Sequence, residues 1–158
     1  MVSKNLKVKF SGNPKQVVCR LFIGSINRSG KRTKSFNNFF FSLLVLNRVY
    51  EINDPINFLI NIVDKVRPRI NFVSKKVAGI VYKLPKFISI SKSRSIAIRW
   101  IITSAINRNS YEKFPQKLAK ELLDINKGIS TSATKKRIEY HTLARSNRPF
   151  LRYLKRKR

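Results

Sequence analysis

Apolar residues recur every three or four positions over six stretches of this chain, and over one stretch they alternate instead. From Gln16 to Asn27 the residues Val18, Leu21, Phe22 and Ile26 form a helical stripe, followed by the basic turn Arg28-Ser-Gly-Lys-Arg-Thr33. Residues 34 to 50 are apolar over most of their circumference, which predicts a helix buried in the domain centre. Asp54-Pro55 places a capping carboxylate before a proline at the first helical position, and Arg67-Pro68 ends the stripe of Phe58, Leu59, Ile62, Val63 and Val66. A helix over 55 to 66 follows. From Arg69 to Ile90 the period drops to two: Ile70, Phe72, Val77, Ile80, Tyr82 and Leu84 alternate with polar or basic residues around Ala78-Gly79. Such a hairpin is too small to hold a sheet core, so it should project as a two-stranded ribbon from a helical body.

Helical spacing returns at Ile96, Ala97, Trp100, Ile101 and Ala105, with caps offered by Ser91 to Ser95 and with Arg94, Arg99 and Arg108 left for the other face. Trp100 is expected in the core. A helix from Phe114 to Asn126 carries Leu118, Leu122 and Ile125 on one side and closes at Gly128. The last, from Ser132 to Ser146, would turn Ala133, Ile138, Leu143 and Ala144 inward and Lys135, Lys136, Arg137 and Arg145 outward. The fold class is therefore mainly α: a single helical domain of about six helices with a projecting two-stranded β-ribbon. Residues 1–15 form a basic N-terminal extension, 16–150 the helical domain with its ribbon at about 69–90, and 151–158 a basic C-terminal tail expected to order only against a partner.

Charge changes the picture from fold to function. The 158 residues include 35 Lys+Arg against 7 Asp+Glu, a formal net charge of +28, with 42% hydrophobic residues to build a core. So much uncompensated charge on one small domain repels itself and calls for a polyanionic partner, with nucleic acid leading. No acid precedes Glu51, and beyond residue 134 Glu139 is the only one. Cys19, the single thiol, is expected as a small buried apolar residue in a reducing compartment. The longest apolar stretch, Phe36 to Leu46, is broken by Asn37, Asn38 and Ser42 and is too short to span a bilayer. The opening MVSKNLKVKF lacks a secretory apolar stretch and is Lys-rich rather than Arg-rich, so import is not expected.

Catalysis needs converging groups, and the carboxylates here are scattered. Glu121 and Asp124 lie beside Lys117 and Lys120, where intrahelical ion pairing is the ordinary explanation. The sole imidazole, His141, has no nucleophile or metal partner at fixed spacing and reads as a neutral hydrogen-bonded residue or an RNA contact. No phosphate-binding loop, dinucleotide fingerprint or zinc set is present, so no catalytic residue, metal, cofactor or small-molecule substrate is expected. Cations instead cluster where turns and helix starts would present them: Arg28, Lys31, Arg32 and Lys34; Lys75 and Lys76; and Lys135, Lys136 and Arg137, the last set near backbone donors at a helix start. Tyr82, Tyr140 and Tyr153 could stack on unpaired bases or pack on the core.

Five blocks share one resemblance. VRPRINFVSKKVAGIVYKLP (66 to 85), SIAIRWII (95 to 102), LAKELLDINKG (118 to 128) and KKRIEYHTLARSNRPF (135 to 150) resemble, in order and spacing, the bacterial-type family of small-subunit ribosomal protein seven, and INRSGKR (26 to 32) resembles its N-terminal basic turn. The resemblance implies a helical domain with a projecting ribbon that binds the 3′ major domain of small-subunit rRNA and organises assembly of the head beside neighbouring head proteins. It also implies a place near the exit-site tRNA and the mRNA path. By matching position, Arg28, Lys31, Arg32, Lys75, Lys76, Arg94, Arg99, Lys135, Lys136, Arg137 and Arg148 become the expected rRNA contacts, with Lys34 added from the basic turn. The ribbon tip, Ala78 and Gly79, would approach the tRNA.

Three features depart from the family pattern: a short N-terminal extension, Ala78-Gly79 where two glycines are expected, and the added LKRKR. With 18 Ile, 20 Lys, 14 Asn and 11 Phe against 6 Ala and 5 Gly, the composition resembles that of an A/T-rich organelle gene. The expectation is a mitochondrial ribosome, with plastid and bacterial cytoplasm as alternatives. A free nucleic-acid-binding regulator or RNA chaperone is the competing function, and a membrane-surface binder ranks third.

Overall fold

The computed structural model describes residues 14–153. Six α-helices, one 3-10 helix and one hairpin occupy these residues: α1 (Pro14–Ile26), α2 (Arg32–Arg48), α3 (Pro55–Val66), β1 (Ile70–Val77), β2 (Ile80–Phe87), α4 (Ile90–Ile106), α5 (Phe114–Asn126), α6 (Ser132–Ser146) and the 3-10 helix Arg148–Tyr153. The mainly α body with a two-stranded antiparallel ribbon is the one the periodicity predicts. A single core draws on every α-helix, with Val18 and Phe22 from α1, Leu46 from α2, Leu59, Ile62 and Val63 from α3, Ile98 and Ile101 from α4, Leu118 and Leu122 from α5 and Ala133 from α6. Asp54 caps α3 as expected, its Oδ1 accepting the Asn57 N–H at 3.1 Å, and Gly128 closes α5 in the left-handed region at φ +78°.

Several expectations give way to packing. Helix α2 is not buried all round: Ser35, Phe39, Ser42 and Leu46 point inward, while Phe36, Phe40 and Phe41 stay about half exposed, because α1, α3 and α5 cover only one side. Helix α4 begins at Ile90, so Ser91 to Ser95 lie inside it, and the buried Ser93 hydroxyl donates to the Pro68 carbonyl instead of capping. On α6, Ile138 and Leu143 face solvent. The inward stripe is Ala133, Tyr140 and Ala144, residues at near-helical multiples that let α6 approach α4. Trp100 is half-buried at that junction rather than in the core, edge-on to Tyr140 at 4.9 Å between ring centroids.

The hairpin uses both faces. Val77 pairs with Ile80 across the two-residue turn Ala78-Gly79, and the register sets Val73, Lys75 and Val77 opposite Leu84, Tyr82 and Ile80 on one face. Phe72 lies on the other and packs against Tyr140 of α6 at 5.4 Å. Tyr82 stacks with Phe150 and Tyr153 at 4.9 and 5.2 Å. The first residues of the expected tail thus order against the chain's own ribbon, while 154–158, like the extension over 1–13, lie outside the described residues. The three tyrosines are packing residues in this structure.

Candidate nucleic-acid interface

The seven acids divide the cations into two populations. Asp64 accepts from Arg94 through Nε and Nη2, both at 3.2 Å, and from Arg67 Nε at 3.2 Å. Glu121, 3% exposed, accepts the Ser104 hydroxyl at 2.7 Å and Arg108 Nη1 at 3.4 Å, and Arg108 reaches Asp124 at 2.5 Å. Lys120 pairs with Glu112, and Lys117 donates to the Arg108 carbonyl. The expected pairing of Glu121 and Asp124 with Lys117 and Lys120 along one helix is therefore replaced by a bridge from α5 to the end of α4, because Glu121 faces inward. Lys15 lies 3.8 Å from Asp54. Among the described residues five acids are thereby engaged, and Glu51 and Glu139 are not.

The other population has no carboxylate within 4.0 Å among the described residues, and of the expected contacts it includes Arg28, Lys31, Arg32, Lys34, Lys76, Arg99, Lys135, Lys136, Arg137 and Arg148. All but the half-buried Lys136 are exposed. These residues sit on the α1–α2 turn, the ribbon, mid-α4, α6 and the 3-10 helix, and packing joins those elements in series: α1 to α4, α4 to α6, α6 to β1 and to the 3-10 helix. Arg28 and Arg99, 71 positions apart in sequence, line one cleft. Arg137 and Arg69 both act on His141, whose pKa is lowered by burial first and by these two cations next, which favours the neutral ring.

Two of the expected contacts have partners within the protein. Arg94 is held by Asp64. Lys75 and Lys76, adjacent in sequence, point to opposite faces of the strand, and Lys75 donates to the Tyr153 carbonyl while Lys76 stays exposed. The start of α6 is closed by a capping box: Thr131 accepts the Thr134 N–H at 3.4 Å and its own N–H goes to Thr134 Oγ1 at 2.9 Å. That leaves the cationic side chains, more than backbone donors, to meet an anion there. Arg69, which the sequence did not single out, is an exposed cation whose charge acts on His141. Its position after Pro68, at the entry to the ribbon, is the one signal that could have found it. Cys19 is half-buried, and burial raises its pKa, keeping it a thiol.

Among the described residues no helix is long and apolar enough to cross a membrane, and no group of three metal-ligating side chains gathers. The family model described as ribosomal protein S7p/S5e matches residues 3–148. The chain is 31% identical over 139 residues to the small ribosomal subunit protein uS7 of Azorhizobium caulinodans, covering 87% of this chain and 86% of that one. It is 36% identical over 110 residues to the uS7 of Acinetobacter baumannii, covering 68% and 69%. A helical body with one projecting ribbon, cations that its own acids leave unpaired, and these matches along most of its length lead to one assignment: the chain belongs to the ribosomal protein S7p/S5e family.

Proposed function

We propose that this protein is a structural constituent of the small ribosomal subunit that binds the 3′ major domain of the small-subunit rRNA and organises assembly of the head. The observation that carries this reading is the selective pairing of charge: acids neutralise Arg67, Arg94 and Arg108 at helix junctions and leave the α1–α2 turn, Lys76 and α6 free for phosphates. Family membership supports the same reading, since its relatives bear the name of a small-subunit protein and the family is one of structural proteins, not enzymes. The contacts would be Arg28, Lys31, Arg32, Lys34, Lys76, Arg99, Lys135, Lys136, Arg137 and Arg148, with Arg69 added and with Arg94 and Lys75 acting mainly within the protein. The ribbon tip, Ala78-Gly79, would lie toward the exit-site tRNA and the mRNA path. Richness in Ile, Lys, Asn and Phe supports a mitochondrial ribosome.

The test is binding of the full chain to a transcript of the 3′ major domain over a range of salt. Replacing Lys135, Lys136 and Arg137 together by Gln is expected to reduce the log–log salt slope by about 2 to 3, at roughly 0.7 to 0.9 per lost phosphate contact. An unchanged slope overturns the reading. Gradient fractionation of organelles should find the chain with small subunits.

A further inference from the structure

Most of the unpaired cations stand on open surface, but Arg28 and Arg99 face a concavity. The end of α1, one side of α2, mid-α4 and the start of α5 enclose a half-open cleft of about 320 Å³. Its apolar lining comes from Ile26, the buried Ile102, the exposed Ile106 and Phe114. Its polar lining comes from Arg28 and Arg99, neither with a carboxylate within 4.0 Å among the described residues, from Ser25 and Thr103, and from Asn38, whose amide makes no hydrogen bond among the described residues. A cleft of this size is at the small end of ligand sites and matches one planar ring system.

The chemistry narrows the occupant. A free inorganic anion has no use for the Ile and Phe lining. A duplex backbone is convex and meets flat or grooved cationic surface without entering a narrow cleft. An unpaired nucleotide has what the cleft complements: an apolar π-face for the apolar lining, polar edges for an amide that both donates and accepts, and a phosphate on each side for the two arginines. We infer that this cleft seats a single bulged nucleotide of the bound RNA, its base on the apolar lining and its flanking phosphates on Arg28 and Arg99. The inference rests on the rRNA-binding reading and adds a site that reads RNA shape, where the rest of the surface reads charge.

The experiment uses the full chain and three labelled RNA hairpins of equal length: one with a bulged uridine, one with an abasic residue at the bulge, and one without a bulge. Binding is followed by fluorescence anisotropy at fixed salt. The bulged uridine is expected to bind about tenfold tighter than either control. Ser25→Phe adds bulk at the exposed mouth without changing charge and should erase the preference while preserving affinity for the unbulged hairpin. Asn38→Ala, which adds no bulk, should lower the preference in part and keeps the test standing if the Phe variant melts early. Equal binding of all three hairpins overturns the inference. If the chain still binds the 3′ major domain transcript, the rRNA reading survives that result, and if it binds neither, both fall. Capture by phosphatidylglycerol vesicles that Ser25→Phe abolishes, with no bulge preference, would assign the cleft to a lipid phosphate and also overturn it.

Discussion

Arg94 and Arg99 sit five residues apart on one helix and do opposite things. Arg94 is one-quarter exposed and forked onto Asp64 of α3, where it ties two helices together. Arg99 is exposed, has no acid within 4.0 Å among the described residues and lines a cleft. The same contrast separates the α4–α5 junction, where Glu121 and Asp124 hold Arg108, from the α1–α2 turn and α6, where no cation has a carboxylate within 4.0 Å among the described residues. In a chain with so few carboxylates, their positions mark which arginines are tied into the fold, as Arg94 and Arg108 are and Arg28 and Arg99 are not. Counting basic residues would not separate the two groups.

The largest effect should come from removing the acid at the buried junction. Glu121→Ala strands the Ser104 hydroxyl and one arm of Arg108, and should cost about 3 kcal/mol. In thermal unfolding that is a drop of roughly 6 to 12 °C for a domain of this size. Affinity for rRNA per folded molecule should hardly move. A small melting change with a large loss of binding would break the division between structural and RNA-facing charge.

The two arginines of α4 provide the sharpest internal control. Arg94→Gln should lower stability by about 1 kcal/mol, discounted for partial exposure, and leave the salt slope of RNA binding unaltered. Arg99→Gln should leave the melting point in place and reduce that slope by about 0.7 to 0.9. Reversal of the two phenotypes would refute the assignment by acid pairing.

A smaller effect is expected at the ribbon tip. The two-residue turn requires positive φ at both positions, and Ala78 adopts +49° where a Cβ is unfavourable, while Gly79 accepts +85° freely. Ala78→Gly should stabilise the hairpin by about 0.5 kcal/mol, the relief of strain being partly offset by greater freedom of the unfolded chain. Slower amide exchange across Val77 and Ile80 would report it.

The smallest concerns pH. Burial together with Arg137 and Arg69 lowers the pKa of His141, so the folded protein holds the neutral ring and the unfolded chain takes up the proton more readily. Stability from this group is therefore present above the ordinary imidazole pKa of about 6.5 and declines as pH falls through it toward the folded value. Melting at pH 7.5 and pH 5.5 should differ slightly more for the native chain than for His141→Gln.

Helix positions, the Asp54 cap, the Gly128 stop and the Ala78-Gly79 turn were legible in the sequence because each depends on local backbone chemistry or on a period of 3.6 or 2 within one segment. The mainly α class and the need for a polyanion follow from the same positions and from the charge. Which side of α2 or α6 is buried was not legible, since both helices carry large apolar residues on more than one side and only their neighbours decide. Nor could sequence say that Glu121 faces inward to Ser104, that Lys75 turns back to Tyr153 while Lys76 does not, or that Arg28 and Arg99 share a cleft. Local preferences act over a few residues, whereas ion pairs and clefts join positions tens of residues apart, and the packed fold alone brings those together.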